Sequence, residues 1–546
     1  MKRSQDGNRN LYAAIERRFP HDLDSVCIET HEGSAYSWRD LHFASGRIAQ
    51  WLASLHLTPG DRVAVQVEKS PECLMLYLAT VRAGLVYVPL NTAYQRAELE
   101  HFLRDAEPAV VVCTPARLAE IAPIARAAHC RCVMTLGEQR DGTLLAAAAP
   151  FPDEFKTVSR ADDDLAAILY TSGTTGRSKG AMLSHRNLAS NAITLDEFWG
   201  FKAAREAGRR DALLHALPLF HVHGLFVASH AALFGGAQML MLPKFDIAEM
   251  LERLPRSTVM MGVPTFYTRL LAEPAFGRDH CRSMRLFIAG SAPLLAETHH
   301  QFERRTGHRI LERYGMSETL MLVSNPYFEA DGQRLAGTVG VPLPAVGVRV
   351  IGANGAECAA GEIGAVQVKG PNVFSGYWRM PDKTREEFAV DGWFKTGDVG
   401  HFGGPDAPER YLTLVGRSKD LIISGGYNVY PKEIEGYIDE MADVVESAVI
   451  GVPHADFGEA VVAVVVVAKV AGKGADLSAA AIVDALKRRI ANYKVPKRVF
   501  ILDDLPRNPM GKVQKNVLRE WYKATFDRAG SAAEVKTSSG SLAAGR

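Results

Sequence analysis

Short apolar segments alternate with longer segments of helical periodicity along most of the chain. Runs such as LAAILYTSG (165–173), STVMMGV (257–263) and MRLFIAG (284–290) have the composition and length of buried strands. Each runs into a Gly- or Pro-marked turn, after which we expect a helix. Strands that alternate with helices predict an α/β fold with largely parallel sheets, whose ligands bind at the carboxyl ends of the strands.

The pattern changes twice towards the C-terminus. From about residue 336 the chain is dense in glycine, valine and turn residues, which predicts a β-rich subdomain. Near Arg417–Lys419 a further change begins one small domain with an α+β pattern. We therefore expect a large N-terminal domain of doubly wound sheets plus the β-rich subdomain over residues 1–417, and a small C-terminal domain over 418–528. The Ser-, Gly- and Ala-rich segment 529–546 is predicted to be disordered.

Charge and cysteine content narrow the class of protein. The 546 residues include 63 basic and 62 acidic side chains, a formal net charge of +1, so no global field attracts nucleic acid or an anionic membrane. The most apolar run, AVVAVVVVA (460–468), is too short to span a bilayer and fits a buried strand. Seven cysteines without paired CxxC motifs favour reduced thiols over disulfides or a zinc site. Since the N-terminus also lacks the apolar segment of a secretory signal, we predict a cytoplasmic protein without a membrane span.

The segment YTSGTTGRSKG (170–180) is the first candidate for chemistry. Its glycines allow close backbone approach, and its N–H groups, hydroxyls and cations can line a phosphate-binding nest. Composition alone favours a flexible surface loop instead. The residue before Lys179 is Ser178 and not the glycine of a Walker A loop, which argues against an ordinary P-loop kinase or GTPase.

This string and four further motifs, in the same order, resemble the signatures of the adenylate-forming superfamily. That superfamily includes acyl-CoA synthetases, luciferases and the adenylation domains of peptide synthetases. The resemblance covers nearly the whole chain, from about residue 10 to about residue 525. The four further motifs are RYGMSET (313–319), WFKTGD (393–398), GRSKDLIISGGYNVYP (416–431) and NPMGKVQKN (508–516).

The resemblance implies an ATP site assembled from these motifs. Glu318 would hold magnesium, which is commonly bound by one or two carboxylates, phosphates and water. Asp398 would accept the ribose hydroxyls, with Arg417 beside the same sugar. A solvated glutamate and a surface ion pair are the plainer interpretations of these residues. The other ATP-binding residues implied are Thr171, Ser172, Gly173, Thr174, Thr175, Gly176, Lys179, Gly290, Ser291, Tyr314 and Ser317.

The reaction implied by the resemblance has two halves. A carboxylate attacks the α-phosphate of ATP to give an acyl-adenylate and pyrophosphate, and the thiol of coenzyme A then displaces AMP. Lys512 would stabilise the charge of the first step, and a mobile C-terminal domain would turn about a hinge at Lys419 between the halves. Gly425 and Gly426 would approach the pantetheine tunnel. ATP, Mg²⁺ and coenzyme A are thus implied, together with a lysine acetyltransferase and deacetylase acting on Lys512.

The acyl pocket of such enzymes lies near PLFHVHGLF (218–226), AGSAPL (289–294) and the YGMSE loop. On an extended segment, His221 and His223 would face one side; the first position is a gate in relatives, and the second lines the pocket. Gly315 and Met316 would border the acyl group, and Met316 would narrow the pocket. Together these segments most resemble malonyl-CoA synthetases, in which an arginine pairs with the distal carboxylate of malonate.

Arg285, on an otherwise apolar predicted strand, is the arginine that this resemblance implies. A buried arginine is costly unless it is paired, but a place at the solvated start of the strand explains Arg285 equally well. Ser317 departs from the commoner threonine and keeps the hydroxyl. Methylmalonate also fits the expectation, since one methyl group changes apolar binding by only about 1–3 kcal/mol.

Other functions stay open at this point. Another short- or medium-chain or an aryl acyl-CoA synthetase would carry the same ATP motifs. An adenylation module that loads a carrier protein is an alternative of another class, although no carrier domain is expected after residue 525. A luciferase-like oxygenase would need oxygen in place of coenzyme A.

Overall fold

The computed structural model describes residues 7–171, 178–404, 407–424, 427–454, 456–468, 477–508 and 511–526. The chain forms two compact units. The first comprises Met1–Thr396 and Gly400–Leu414, and the second comprises Gly397–Val399 and Val415–Arg546. The predicted boundary lay at residue 417, and the predicted tail, 529–546, lies outside the described residues.

Strands and helices alternate through the first unit. The strands up to residue 417 are β1 (Val26–Thr30), β2 (Ala35–Ser37), β3 (Arg62–Gln66), β4 (Val86–Pro89), β5 (Val110–Cys113), β6 (Cys132–Thr135), β7 (Leu165–Thr171), β8 (Lys179–Ser184), β9 (Ala212–His215), β10 (Gln238–Met241), β11 (Val259–Gly262), β12 (Leu286–Ala289), β13 (Leu311–Met316), β14 (Leu320–Ser324), β15 (Val341–Pro342), β16 (Gly347–Ile351), β17 (Gly364–Lys369), β18 (Phe394–Gly404) and β19 (Ala407–Arg417). The helices of this part are α1 (Leu11–Glu16), α2 (Trp38–Ser54), α3 (Pro71–Arg82), α4 (Arg96–Ala106), α5 (Leu118–Ala127), α6 (Thr143–Ala148), α7 (His185–Phe198), α8 (Phe201–Glu206), α9 (His230–Gly235), α10 (Ile247–Arg253), α11 (Pro264–Ala272), α12 (Ala296–Thr306) and α13 (Pro381–Glu387).

Three sheets are formed by these strands. One has the order β6-β5-β3-β4-β7-β8, and only its last pair is antiparallel. A second has the order β15-β14-β13-β12-β11-β9-β10-β1-β2 and is parallel from β13 to β1. The third, β16-β17-β18-β19, corresponds to the predicted β-rich subdomain. The α/β fold class predicted from the alternating pattern is therefore confirmed.

Local sequence explains where several helices begin. Ser70 accepts a hydrogen bond from the backbone N–H of Cys73, and Pro71 occupies the first turn of α3, where no intrahelical donor is lost. Ser184 and Asn187 form a reciprocal capping box at the start of α7. The prediction that a helix is the next element after β7 is wrong, because β8 pairs with β7 before α7 begins.

The strands described in the second unit form one small sheet. Its elements are β20 (Ile422–Ser424), β21 (Tyr427–Val429), α14 (Pro431–Asp439), β22 (Val444–His454), β23 (Gly458–Val467), α15 (Ala479–Lys487), β24 (Arg498–Leu502) and α16 (Lys515–Tyr522). Alternate residues of β23 pack on opposite sides, Val461 with Ile434 and Ile482, and Val462 with Leu505 and Leu518. Burial on both faces explains why this strand is a continuous apolar run.

No helix in the described part of the chain has both the length and the apolar composition needed to cross a membrane.

Candidate active site

The loop predicted to bind phosphate joins β7 to β8. Ser172, Gly173, Thr174, Thr175 and Gly176 lie outside the described residues. Thr171 and Lys179, at the two ends of the hairpin, are paired across it. These two residues fix where the loop leaves and rejoins the sheet.

Lys179 lies in an anionic and aromatic environment. Its Nζ is 3.5 Å from Oε1 of Glu387 and 4.4 Å from the ring centroid of Tyr377. The Tyr377 hydroxyl donates a hydrogen bond of 3.0 Å to Oε1 of Glu318, which is buried in the turn between β13 and β14. Lys179 and Glu318, predicted from separate motifs, are thus brought together by Tyr377, a residue that no sequence motif indicated.

Glu318 has the chemistry of a magnesium ligand shared with a nucleotide. The described residues contain no group of three or more His, Cys, Asp or Glu side chains that could hold a metal ion. A cation on Glu318 would therefore take its remaining ligands from phosphate and water, as Mg²⁺ commonly does.

Gly290 and Ser291 follow β12 at its carboxyl end, and they meet His223. The Ser291 hydroxyl lies 3.1 Å from Nδ1 of His223, which is fully buried. Ser291 has φ +73°, a left-handed conformation that is uncommon outside glycine and often found at functional sites. The two residues come from distant parts of the chain and face one another at the end of the sheet where α/β folds bind ligands.

His223 begins a π-helical turn, His223–Ser229, which precedes α9. The extended geometry assumed for His221 and His223 is wrong, because Val222 already has helical dihedral angles, φ −49° and ψ −44°. Nδ1 of His221 instead accepts from the backbone N–H of His223 at 3.3 Å. Such single π-helical turns are frequently found at functional sites.

Lys69 and His215 support this π-helical turn through a chain of close polar contacts. Nζ of Lys69 lies 2.9 Å from Nδ1 of His215 and donates to the His215 carbonyl oxygen at 2.7 Å. Nε2 of His215 lies 3.0 Å from Oγ of Ser229 and 3.1 Å from the carbonyl oxygen of Gly224. Burial and the neighbouring Lys69 hold the pKa of His215 well below its ordinary value. Sequence reasoning missed this pair, because neither residue lies in a motif.

Arg313, in β13, is a buried cation beside Gly290. Its side chain is almost completely buried, and in the described residues no acceptor bonds its Nε or Nη2. A Cβ added to Gly290 would lie 2.4 Å from Cζ of Arg313, so only glycine leaves room for this guanidinium. Burial lowers the pKa of Arg313 to about 9, which still leaves it charged at neutral pH. Arg313 is the first residue of the RYGMSET motif, but no role was predicted for it from the sequence.

Arg285, which was predicted to bind the substrate, stands at the other end of β12 from Ser291. It precedes β12, six residues before Ser291, a separation of about 20 Å along a strand. Its Nε and Nη2 donate to both carboxylate oxygens of Asp211 at 2.8 and 2.7 Å, and its Nη1 donates to the Trp199 carbonyl oxygen at 2.9 Å. The guanidinium is therefore already paired at the opposite end of the sheet.

The remaining residues of the RYGMSET motif lie on β13 and the turn after it. Tyr314 is buried, whereas Gly315, Met316 and Ser317 are partly exposed. A Cβ on Gly315 would lie 2.0 Å from the Leu320 carbonyl oxygen, so the turn requires glycine there. Met316 packs against the large apolar core of the first unit.

Asp398 and Arg417 are brought together in the second unit. Nε of Arg417 lies 2.6 Å from Oδ1 of Asp398, whose side chain is buried while that of Arg417 is 40% exposed. Lys419 lies two residues further on, in a short 3₁₀ turn, Ser418–Asp420, and burial lowers its pKa. The predicted tunnel residues Gly425 and Gly426 lie outside the described residues.

Lys512 is exposed and lies three residues before α16. Its backbone N–H donates to Oδ1 of Asn508 and its carbonyl oxygen accepts from the Asn508 N–H, both at 2.9 Å. Gly511, immediately before it, has φ +75°, a conformation that favours glycine. Two hydrogen bonds thus tie the backbone of Lys512 to Asn508.

Comparison with known proteins defines the class. A family model described as AMP-binding enzyme matches residues 15–378, and one described as the AMP-binding enzyme C-terminal domain matches residues 433–512. The chain belongs to the AMP-binding enzyme family. This confirms the resemblance to adenylate-forming enzymes and the predicted class, an acid–thiol ligase that uses ATP and coenzyme A.

Two named relatives and one solved structure are similar to this chain over most of its length. A malonate–CoA ligase of Arabidopsis thaliana is 33% identical over 560 residues, covering 95% of this chain and 90% of the relative. An indoleacetate–CoA ligase of Aromatoleum aromaticum is 35% identical over 511 residues, covering 88% and 93%. The structure of ATP-bound MatB from Rhodopseudomonas palustris matches with a TM-score of 0.90 and 54% identity, covering 95% of this chain and 100% of that one.

Proposed function

We propose that this enzyme is a malonate–CoA ligase. The names of its relatives do not identify the carboxylic acid that it activates, because the malonate and indoleacetate enzymes have similar sequence identities to this chain. The observation that carries the proposal is Arg313, a buried cation with two donors for which the described residues provide no acceptor. A second carboxylate on the substrate would supply the missing partner, in the planar two-point geometry that a guanidinium favours.

We assign His223 and Ser291 to the same pocket, beside the distal carboxylate. An aliphatic or aryl acid would leave Nε and Nη2 of Arg313 buried without a hydrogen-bond acceptor, which is unfavourable. Met316 would border the short acyl group. As the family resemblance implies, His221 would be the gate residue and Gly315 would form part of the wall of the acyl pocket.

In the first half-reaction, a substrate carboxylate oxygen attacks the α-phosphorus of ATP and the bond to pyrophosphate breaks. Lys179 and the loop residues 171–176 would bind phosphate oxygens, Asp398 and Arg417 the ribose, and Tyr314, Ser317 and Gly290 the remainder of the nucleotide. Mg²⁺ on Glu318 would supply charge neutralisation at the phosphates. Lys512 would stabilise the negative charge shared by phosphate and attacking carboxylate.

In the second half-reaction, the sulfur of coenzyme A attacks the acyl carbon, the bond to AMP breaks, and the thiol proton is lost. Lys419 is proposed as the hinge between the two halves, and Gly425 and Gly426 as the lining of the thiol tunnel. We also propose that the enzyme acts in the cytoplasm, since all seven cysteines are free. The exposure of Lys512 supports its proposed modification by an acetyltransferase.

The test is AMP production with coenzyme A across malonate, methylmalonate, acetate, butyrate, benzoate and a long-chain fatty acid. Wild type is expected to prefer malonate. Arg313→Met should lower kcat/KM for malonate by about 100-fold or more, because a buried carboxylate loses its partner. The same variant should gain relative activity on butyrate.

Arg285→Lys is the matched control. It replaces an arginine at the far end of the neighbouring strand and keeps a cation for Asp211, so the malonate preference should persist. Unchanged malonate kinetics in Arg313→Met would overturn the dicarboxylate assignment. Formation of adenylate without acylation of coenzyme A, but with acylation of a phosphopantetheinyl carrier protein, would favour the carrier-loading function instead.

A further inference from the structure

Two basic residues, one on each side of Lys512, pair with acidic residues of the same unit. Arg507 pairs through Nη2 with Oε1 of Glu446 on β22. Nζ of Lys515, the first residue of α16, lies 2.5 Å from Oε1 of Glu435 on α14. The four side chains are 15–27% exposed, so both pairs are largely withdrawn from solvent. We call these two ion pairs the lysine-loop clamp.

The clamp is connected to Lys512 through the backbone. Nη1 of Arg507 also donates at 2.8 Å to the carbonyl oxygen of Gly511, the residue before Lys512. The Gly511 N–H donates to the Asn508 carbonyl oxygen at 2.8 Å, and the Gln514 N–H donates to that of Pro506 at 2.7 Å. One guanidinium therefore joins Glu446 directly to the turn that presents Lys512.

The acidic side of the clamp is also fixed. Oε1 of Glu435 accepts from the backbone N–H of Val449 at 2.7 Å, so this carboxylate is held against β22. Glu435 and Glu446 stand on different elements and hold the two ends of the loop separately. Each pair therefore ties its own end of the segment to a different element of the unit.

We propose that Arg507 and Lys515, with Glu446 and Glu435, are positioning residues for the adenylation half-reaction. They act by fixing the backbone of Lys512 and do not touch the reacting atoms. The inference rests on the proposed role of Lys512 in adenylation. Lys512 is proposed to take no part in thioester formation. Loss of the clamp should therefore slow adenylation and leave thioester formation unchanged.

The test measures the two halves separately. Isotope exchange between pyrophosphate and ATP, with malonate present, reports adenylation, and conversion of supplied acyl-adenylate with coenzyme A reports thioester formation. Glu446→Gln and Lys515→Met are expected to lower the exchange rate about 10- to 100-fold, the range for a misplaced catalytic group. Thioester formation should stay within about twofold of wild type. Lys515→Arg, which restores a cation for Glu435, should recover most of the exchange.

A matched control exists in the same unit. Arg489 and Glu440 form an ion pair at 2.5 Å whose side chains are 42% and 57% exposed, and neither residue belongs to the lysine-loop clamp. Glu440→Gln should leave both half-reactions unchanged. If the clamp variants instead lose both halves in parallel, the pairs only stabilise the unit and the inference is wrong.

Combination with Lys512→Ala separates this inference from the proposed function. If Lys512→Ala impairs both halves equally, the assignment of Lys512 fails. If it impairs only exchange while the clamp variants behave like Glu440→Gln, only the clamp fails. In the Lys512→Ala background, Glu446→Gln should cause no further loss of exchange, because residues that act through one group are not additive; a full additional loss would overturn the inference.

Discussion

A buried guanidinium needs acceptors on several sides, and Arg285 and Arg313 meet this need in different ways. Arg285 has two carboxylate oxygens, a carbonyl oxygen and the rings of Phe201 and Tyr327 around it. Arg313 has donors for which the described residues offer no acceptor. The first therefore contributes to the fold, whereas the second retains the capacity to bind a ligand.

Replacement of Arg285 should therefore affect stability and not selectivity. Arg285→Ala leaves the buried carboxylate of Asp211 without its partner, which is expected to cost about 3–5 kcal/mol of unfolding free energy. Urea unfolding measures this loss, and the ratio of malonate to butyrate activity of the folded enzyme should not change. Arg285→Lys should lose less stability. A shift of selectivity towards butyrate in either variant would contradict the placement of Arg285.

The sequence alone identified candidate functional residues better than it identified the residues with which they pair. Glu318, Asp398 and Arg417 could be selected because each stands in a motif, and the structure brings the last two together. Arg285 and Arg313 could not be separated, because both are single arginines next to apolar runs. The pairing that distinguishes them joins residues 74 positions apart and depends on the tertiary fold.

Among the elements, the π-helical turn His223–Ser229 depends most on side-chain support. A π-helical turn leaves some carbonyl groups without the usual helical partner, and the Gly224 carbonyl oxygen receives a 2.9 Å bond from the Ser229 hydroxyl. His215 lies beside both atoms, and Lys69 fixes His215. A cavity of about 40 Å³ adjoins Lys69.

Loss of the Lys69 donors should therefore weaken binding of the acid in the proposed acyl pocket. Lys69→Met leaves Nδ1 of His215 buried and unsatisfied, at a cost of about 1–3 kcal/mol. If this displaces His223, the KM for malonate should rise about tenfold while the KM for ATP is unchanged. Lys69→Arg, for which the cavity leaves space, should retain nearly normal kinetics. Equal changes in both KM values would indicate a general loss of structure.

Elements with strong periodicity were predictable, and those that rest on distant contacts were not. The runs at 257–263 and 284–290 are β11 and β12, since buried parallel strands are continuous apolar segments. β8 was missed because KGAMLS carries no strand signal apart from its pairing with β7. The π-helical turn was missed because nothing in HGLFVAS separates it from an ordinary helix.

For the whole molecule, the second unit carries a titratable group that makes its stability depend on pH. Burial raises the pKa of Asp439 from 3.8 to about 7; the charges of Glu435 and Glu446 act in the same direction, and Ser447 opposes them. Between pH 3.8 and about pH 7, the folded state therefore keeps a proton that the unfolded state has already lost. The contribution to stability is complete below about pH 4 and is lost as the pH rises towards 7.

Asp439→Asn should remove this dependence. Each unit of pKa difference is worth about 1.4 kcal/mol, so the variant is expected to be more stable than wild type by about 1–3 kcal/mol at pH 8. Little difference is expected near pH 4. Hydrogen exchange of β22 amides in urea at both pH values measures the stability of this unit. A stabilisation that is equal at both pH values would exclude titration of Asp439 as the cause.

The second unit includes Gly397–Val399, which the chain reaches before it returns to the first unit at Gly400. The polypeptide therefore passes between the units three times, and no single cut separates them into complete pieces. A fragment beginning at Val415 would carry Arg417 without Asp398. Limited proteolysis or truncation at the boundary should consequently yield a C-terminal piece that lacks Asp398, the ion-pair partner of Arg417. Point substitutions are therefore better suited than excision to assign functions to this unit.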